Sequence, residues 1–250
     1  TRGPGATQAA VGVHTALQDS TPMILLVGQV RREDEGREAF QELDYAQAFA
    51  GLAKAAFEIR DPARVPEMMM RAFALAMNGR PGPVVVGLPE DMLTEIADAP
   101  EAAALVPARS EVSAETAHEI AAMIDAAERP VMMVGGPGWR DEDREALHDF
   151  AVRTNCPILT SFRVKHLFDN AHSHYGGEAG IGACPAVVTA LREAGLIVAV
   201  GPRLGEMTTQ SYDLFDVPEG VADRLVHIHP GGEELGRVYR PKLAVTAQAG

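Results

Sequence analysis

Short uninterrupted apolar runs alternate along this chain with longer segments in which apolar residues recur at helical spacing. Residues 23–28 and 83–89 are two such runs, each bounded by turn-forming residues. A run of this length between turns is typical of a strand that is buried on both faces of a sheet. In the second half of the chain, the same criterion predicts strands over residues 130–135, 157–160, 196–200, 225–229 and 243–246.

The spacing of apolar residues predicts helices between most of these strands. The first helix follows a Gly/Pro turn, with Thr7 as a suitable N-cap, and ends in the turn before residue 23. The next covers residues 65–77, where Met68, Met69 and Phe73 share an apolar face, so we interpret the methionine run as core packing. Further helices are predicted near residues 44–56, 113–127, 141–153 and 184–194.

Two segments without this periodicity are predicted to be loops. Residues 31–42 are mostly charged, which indicates a solvated loop. Residues 165–182 are rich in Gly and His. Phe40 and Gln41, at the end of the first loop, are uncharged, and we keep them as candidates for a function.

The alternation of strands and helices predicts an α/β protein with parallel sheets. We divide it into a first domain over residues 1–93, a linker over 94–112 and a second domain over 113–250. The first domain has only two clear strands, so we expect it to be incomplete. The second is predicted to be a doubly wound, Rossmann-like sheet, which binds ligands at the carboxyl ends of its strands.

Composition narrows the classes of partner. The chain has 250 residues, with 22 Lys and Arg against 35 Asp and Glu, so its formal net charge is −13. Because no basic block offsets this charge, nucleic acid and anionic membranes are poor partners. No apolar run approaches the ~20 residues that a membrane helix needs. The two cysteines cannot build a disulfide framework, which fits a cytoplasmic protein.

Glycine-rich turns offer two candidate binding loops. Gly3-Pro4-Gly5 precedes a predicted helix, where backbone N–H groups can hold an anion or a cofactor, although a plain tight turn explains it equally well. Residues 135–138 follow a strand, but their spacing differs from the dinucleotide fingerprint GxGxxG and Pro137 lacks an N–H donor. We therefore do not predict NAD binding.

Two histidines and two cysteines complete the candidate chemistry. His227 and His229 alternate along one predicted strand and so point to the same face. A metal site needs three or four ligands and no third lies nearby in the sequence, so we interpret the pair as structural. Cys156 and Cys184 have no evident partner base, and we interpret Cys184 as inert.

Several strings, in a fixed order, carry a family resemblance. In the first domain they are Thr1-Arg2-Gly3-Pro4-Gly5-Ala6-Thr7, Gln18-Asp19-Ser20-Thr21-Pro22, Gly28-Gln29-Val30, Ala39-Phe40-Gln41-Glu42-Leu43-Asp44 and Gly79-Arg80-Pro81-Gly82-Pro83-Val84. In the second domain they are residues 130–136, 175–182, 201–206 and Thr208-Thr209-Gln210. Together they resemble a thiamine-diphosphate-dependent enzyme of the acetolactate synthase-like group, over nearly the whole chain.

The resemblance implies a subunit with pyrimidine-binding, central and diphosphate-binding domains. This chain would hold the later half of the first domain and all of the second, and we expect it to be a fragment of a longer protein. The Glu that activates the cofactor would lie before Thr1, and the segment that holds Mg²⁺ and the diphosphate would lie after Gly250. The implied cofactors of the parent protein are thiamine diphosphate and Mg²⁺, and we expect the fragment alone to be inactive, with no catalytic or metal-binding residue.

The resemblance also assigns binding residues. Gly3, Pro4 and Gly5 would lie near the ring end of thiamine diphosphate. Phe40 and Gln41 would face the cofactor and the substrate, with Gln41 contacting the substrate. These five residues are the candidate site of the first domain.

The central domain of this family binds FAD in some members, ADP in others and nothing in the rest. Residues 227–230 read His-Ile-His-Pro where FAD-binding members read Asp-Ile-Asp-Pro, and Met207 stands where those members carry an Arg. Both departures argue against FAD and against a strict acetolactate synthase. Gly135, Gly136 and Arg203 remain candidates for binding a nucleotide.

The implied function is that of a transferase or lyase. It would make or break C–C bonds next to the carbonyl of a 2-oxo acid or an aldehyde. A homodimer or homotetramer is implied as well, because active sites of this family lie between subunits. The alternative, from a different class, is a non-catalytic nucleotide-binding or assembly module with the same fold.

Overall fold

A computed structural model gives the fold of residues 1–249, which divide into two compact units. The first unit is Thr1–Ala108, and the second begins at Arg109. Residues 95–113 form no helix or strand. Among the described residues, no helix has the length and apolar character needed to cross a membrane.

The first unit is a parallel three-stranded sheet with helices on its faces. Its strand order is β1-β3-β2, so β3 lies in the middle. The strands are β1 (Met23–Gln29), β2 (Ala55–Glu58) and β3 (Pro83–Pro89). The helices are α1 (Gly3–Gln18), α2 (Tyr45–Ala48) and α3 (Val65–Met77).

The central strand β3 explains how this unit packs. Val84, Val85 and Val86 are fully buried, and alternate residues of a strand point to opposite faces. Val85 therefore joins the core on one face, whereas Val84 and Val86 join the core on the other. The core around Val85 includes Ala6, Val13, Val27, Tyr45, Phe49 and Ala53, and the opposite core includes Ile59, Ala72, Ala76 and Met92.

The predicted burial is confirmed for β3 but is wrong for β1. Because β1 lies at the edge of the sheet, Leu26 remains 52% exposed. The apolar face of α3 extends less far than predicted as well. Met68 and Met69 pack against the core, but Phe73 is 47% exposed.

The start of α1 and the segment 44–56 differ from the prediction. Helix α1 already begins at Gly3, with a proline in its first turn, and Thr7 lies inside it. The predicted helix over residues 44–56 is instead the short helix α2 followed by strand β2. Ala and Glu favour helices by intrinsic propensity, but hydrogen bonding of β2 to β3 outweighs that weak preference.

The second unit is a parallel six-stranded sheet with the strand order β6-β5-β4-β7-β8-β9. Its strands are β4 (Pro130–Val134), β5 (Ile158–Thr160), β6 (Tyr175–Glu178), β7 (Leu196–Val200), β8 (Leu225–His229) and β9 (Leu243–Thr246). Its helices are α4 (Ala114–Ala126), α5 (Asp141–Thr154) and α6 (Pro185–Glu193).

This strand order is that of a doubly wound sheet, which confirms the predicted fold class. The chain starts in the middle at β4, builds outward to β6, and then returns to build β7, β8 and β9 on the other side. The order reverses between β4 and β7, and ligands of such sheets bind outside the carboxyl ends of the strands at that point. Apolar cores cover both faces, with Val134 and Val198 in one core and Met133 and Ala199 in the other.

The prediction of a continuous loop over residues 165–182 is wrong, because it contains strand β6. Gly176 and Gly177 lie in this strand, and glycine weakens the strand pattern in a sequence. Gly177 has φ +115°. The pairing of β6 with β5 also shifts register between Ile158 and Leu159. Pairing with a neighbouring strand, and not local apolar periodicity, defines β6.

We expect the cap of α4 to contribute measurably to stability. The Ser113 side-chain oxygen accepts a hydrogen bond from the Thr116 N–H at 3.1 Å. Ser113→Ala removes that acceptor and should lower the free energy of unfolding by about 1 kcal/mol. Ser113→Asp keeps an acceptor and should leave it nearly unchanged. Urea unfolding of both variants tests this, and equal losses would show that the cap does not contribute.

Candidate active-site cleft and central-domain crevice

Three separate segments of the first unit meet at the carboxyl end of β1. The Gly28 N–H donates to the Thr1 carbonyl oxygen at 2.9 Å, and the Gly3 N–H donates to the Gln41 carbonyl oxygen at 3.1 Å. The start of α1 is thus joined on one side to β1 and on the other side to the end of the charged loop. Three of the strings that carried the family resemblance therefore lie together in space.

The close approach of Gly3 to the loop requires glycine. A Cβ atom at residue 3 would lie 2.9 Å from the Gln41 carbonyl oxygen, closer than real Cβ atoms come to backbone oxygens. Any larger residue would push the loop away from α1. The glycine therefore permits the contact that places Gln41.

A cleft of about 280 Å³ opens at this junction. Its lining combines polar side chains and glycine backbone with the apolar surface of two leucines. The lining residues are Thr1, Arg2, Gly28, Gln29, Gln41, Leu88, Glu90 and Leu93. The carboxyl ends of parallel strands are the usual position for a binding site in this kind of sheet.

Phe40 and Gln41 are presented to solvent in a fixed backbone geometry. Phe40 is 79% exposed, and its carbonyl oxygen accepts a hydrogen bond from the Arg2 guanidinium at 3.2 Å. Gln41 has φ +66°, in the left-handed region that non-glycine residues rarely adopt. Strained residues of this kind persist where surrounding contacts hold them, and they are common at functional sites.

The beginning of the charged loop is anchored by Arg32. Asp91 accepts hydrogen bonds from the Arg32 backbone N–H at 3.1 Å and from the Arg32 Nε at 2.7 Å. Loss of hydration acts to raise the pKa of Asp91, but the hydrogen bonds and charge of Arg32 prevail and lower it. Arg2 also forms an ion pair with Glu90 at the rim of the cleft.

Gln29 is a residue of the cleft that the sequence analysis did not single out. Its side chain is buried, and its Nε2 donates to the Leu43 carbonyl oxygen at 2.7 Å and to Glu58 Oε1 at 2.8 Å. The feature of the sequence that could have identified Gln29 is a polar side chain at the end of an apolar strand. Its partners lie 14 and 29 residues away, so no local pattern reveals them.

Gly3, Pro4 and Gly5 form the first turn of α1 and not a separate turn before it. The Gly3 N–H is bound by Gln41, Pro4 has no N–H, and the Ala6 N–H donates to the Arg2 carbonyl oxygen. The helix start therefore offers few donors to an anion. The structure places Gly3 against Gln41 and Gly5 against Thr1, which both line the cleft. Pro4, Gly5 and Phe40 do not line the cleft itself.

In the second unit, Gly135 and Gly136 lie where the strand order reverses. A Cβ atom at Gly136, which has φ +67°, would lie 2.1 Å from the Gly201 carbonyl oxygen. The loops after β4 and β7 therefore pack directly against each other. The Trp139 indole N–H also donates to the Gly135 carbonyl oxygen at 2.8 Å.

Arg203 follows strand β7 by three residues and already has a carboxylate partner. Its Nε lies 3.1 Å from Oε2 of Glu234, whose other oxygen is 2.8 Å from Arg237. Glu234 is only 6% exposed. A ligand phosphate at Arg203 would compete with this buried carboxylate.

The two histidines of β8 and Cys156 are buried in the second unit. His227 Nε2 lies 3.0 Å from the Pro202 carbonyl oxygen, which fits the structural interpretation. Burial raises the pKa of Cys156 to about 11, whereas Cys184 is exposed. Within residues 1–249, no group of three or more His, Cys, Asp or Glu side chains could hold a metal ion.

Sequence comparison identifies the family. Residues 117–250 match the family described as "Thiamine pyrophosphate enzyme, central domain". Residues 1–48 match "Thiamine pyrophosphate enzyme, N-terminal TPP binding domain". The chain therefore belongs to the thiamine pyrophosphate enzyme family, which confirms the resemblance seen in its sequence strings.

Curated relatives are large subunits of acetolactate synthase. The chain is 30% identical to the acetolactate synthase large subunit of Corynebacterium glutamicum over 253 aligned residues. The alignment covers 100% of this chain and 40% of the relative. It is 32% identical over 256 residues to the large subunit of Parasynechococcus marenigrum, and that alignment covers 100% of this chain and 41% of the relative. It is 31% identical over 250 residues to the isozyme 1 large subunit of Escherichia coli, and that alignment covers 98% of this chain and 43% of the relative. The chain thus spans about 40% of the length of these relatives.

The burial of His227 predicts a specific dependence of stability on pH. Loss of hydration lowers the pKa of His227 to about 4, although the hydrogen bond to Pro202 acts in the opposite direction. In the unfolded chain, the pKa of His227 is near 6.5. Between about pH 6.5 and pH 4, His227 therefore binds a proton in the unfolded chain but not in the folded chain. Stability therefore falls as the pH decreases from about 6.5 to about 4.

His227→Gln tests this dependence, since glutamine keeps an N–H donor for Pro202 but does not titrate. Between pH 7 and pH 4, the variant should lose less free energy of unfolding than the parent chain, by roughly 2–3 kcal/mol. Chemical unfolding at several pH values measures the difference. His229 and Glu234, the neighbouring titratable groups, are present in both proteins. Parallel curves would show that His227 does not carry the effect.

Proposed function

We propose that this protein is a thiamine-diphosphate-dependent enzyme of the acetolactate synthase type, acting on a 2-oxo acid or an aldehyde. It would make or break the C–C bond next to the substrate carbonyl. The observation that carries the proposal is the convergence of Thr1–Gly3, Gly28 and Gln41 around one cleft in a chain of this family. A non-catalytic module is not favoured, because the relatives that match the whole chain are acetolactate synthase large subunits.

The residues around the cleft fit the ring end of thiamine diphosphate. The amide and backbone groups of the cleft can form hydrogen bonds with the nitrogen atoms of a heteroaromatic ring. The exposed side chain of Phe40 can pack against the apolar surface of such a ring. We propose that the ring lies along Gly3, Pro4, Gly5, Phe40 and Gln41. Mg²⁺ would accompany the diphosphate, and the proposal assigns neither group to residues of this chain.

When bound, thiamine diphosphate supplies a carbon nucleophile for a carbonyl carbon and an electron sink for the change in the C–C bond. In the proposed site, the Gln41 amide donates a hydrogen bond to the substrate carbonyl oxygen, which gains negative charge in the reaction. Phe40 excludes water from the reacting atoms. The Gly3–Gln41 hydrogen bond holds the backbone that carries both side chains. If the central domain binds FAD or ADP, Gly135, Gly136 and Arg203 are the residues proposed to contact it, and a phosphate at Arg203 would compete with Glu234.

The remaining features of the proposal concern the whole protein. We propose a homodimer or homotetramer in the cytoplasm, with no nucleic acid or membrane partner. The net charge of −13 supports the absence of nucleic-acid binding. The activity belongs to the full-length protein, and Gln41 is the substrate contact that residues 1–249 supply.

Replacement of Gln41 tests the proposed site. In the full-length protein, Gln41→Ala should lower turnover of a short 2-oxo acid such as pyruvate by about 10²-fold, because one hydrogen bond to developing charge is lost. Steady-state kinetics at saturating thiamine diphosphate and Mg²⁺ measure the change. Gln47→Ala is the matched control, since Gln47 is an exposed glutamine in the neighbouring helix α2.

Two outcomes would contradict the proposal at different levels. Unchanged kinetics of Gln41→Ala would remove that residue from the site but leave the enzyme class intact. A full-length protein that fails to bind thiamine diphosphate in a calorimetric titration would overturn the function itself.

A further inference from the structure

Gln29, the last residue of β1, has a fully engaged amide. The residue is 3% exposed. Its Nε2 carries two N–H groups, and they donate to the Leu43 carbonyl oxygen at 2.7 Å and to Glu58 Oε1 at 2.8 Å. Its Oε1 accepts from the Val30 N–H at 2.9 Å. A buried amide with all its groups paired has a single orientation.

These hydrogen bonds connect the ends of two strands to the functional loop. Gln29 ends β1, Glu58 ends β2, and Leu43 follows Gln41 by two residues. Gln41 is therefore held from both sides, by Gly3 through its own carbonyl oxygen and by Gln29 through that of Leu43. This double attachment accounts for its left-handed backbone, with φ +66°, which a loose loop would relax.

We propose that Gln29 is a positioning residue, which holds Phe40 and Gln41 at the cleft through the Leu43 carbonyl oxygen. Gln29 lines the cleft, but its two N–H groups point to Leu43 and Glu58 and are not available to a ligand. Its effect on turnover rests on the proposed function. Its effect on the loop conformation does not.

The pair of Gln29 and Glu58 permits a substitution that separates positioning from folding. Gln29→Glu keeps the shape but loses both donors, and it sets one carboxylate against another. Adding Glu58→Gln to Gln29→Glu restores a hydrogen bond between residues 29 and 58, but it cannot restore the bond to Leu43. Glu58→Gln alone is the matched control, because it leaves Gln29 with both of its acceptors.

Amide hydrogen exchange by NMR on the 250-residue chain reads out the loop directly. The reporter is the Gly3 N–H, which is protected by the Gln41 carbonyl oxygen. In the double variant, we expect a melting temperature well above that of Gln29→Glu alone, because the hydrogen bond between residues 29 and 58 is restored. We expect exchange of Gly3 to be about tenfold faster than in the parent chain or more, as for a local opening that has lost one hydrogen bond. Glu58→Gln should leave the exchange of Gly3 unchanged. It is also the reference for thermal stability, because it shares with the double variant the loss of the Arg60–Glu58 ion pair.

Two results would overturn the proposal. One is a double variant in which the Gly3 N–H keeps the protection of the parent chain. The other is a double variant that does not regain thermal stability, because Gln29 would then serve the fold as a whole. In the full-length protein, the double variant should also lower kcat for a 2-oxo acid several-fold while the affinity for thiamine diphosphate is retained. If the full-length protein binds no thiamine diphosphate, the exchange result still decides the positioning role.

Discussion

The hydrogen bond from the Gly3 N–H to the Gln41 carbonyl oxygen joins the folding of the first unit to its candidate site. The first N–H groups of a helix have no partner inside the helix, and Arg2 provides no side-chain cap for α1. The loop carbonyl supplies that cap. The same bond fixes the residue that faces the cleft, so the loop cannot move away without leaving a helix N–H unpaired.

The two units are both built on a parallel sheet, but they differ at the carboxyl ends of their strands. In the first unit, small residues and backbone groups leave a cleft open beside β1 and β3. In the second unit, the loops after β4 and β7 touch through Gly136 and Gly201. The Arg203 guanidinium there forms an ion pair with Glu234. A buried carboxylate between two guanidinium groups is costly to displace. The strand ends of the two units thus differ in how closely their loops and charged side chains pack.

The sequence predicts those elements that bury apolar runs on both sides, such as β3, β7 and β8, because their burial is visible in local composition. It fails for β2 and β6, whose Ala, Glu and Gly residues become strands only through pairing with a neighbour. Phe40 and Gln41 came from family strings and remain predictions as site residues. Gln29 was missed because its role depends on Leu43 and Glu58, which only the fold brings close.

The chemistry of glutamine explains why this residue type suits the end of β1. The position lies in the protein interior between a backbone carbonyl, a carboxylate and a backbone N–H, so it needs two donors and one acceptor. Of the common side chains, Gln and Asn offer that set without a charge, and the longer Gln spans from β1 to the loop. A glutamate would place a carboxylate oxygen, in the position of Nε2, against both the Leu43 carbonyl oxygen and the Glu58 carboxylate, and an apolar residue would leave the Leu43 carbonyl unpaired. Fold stability and loop geometry therefore depend on the same amide, and a substitution that spares one need not spare the other.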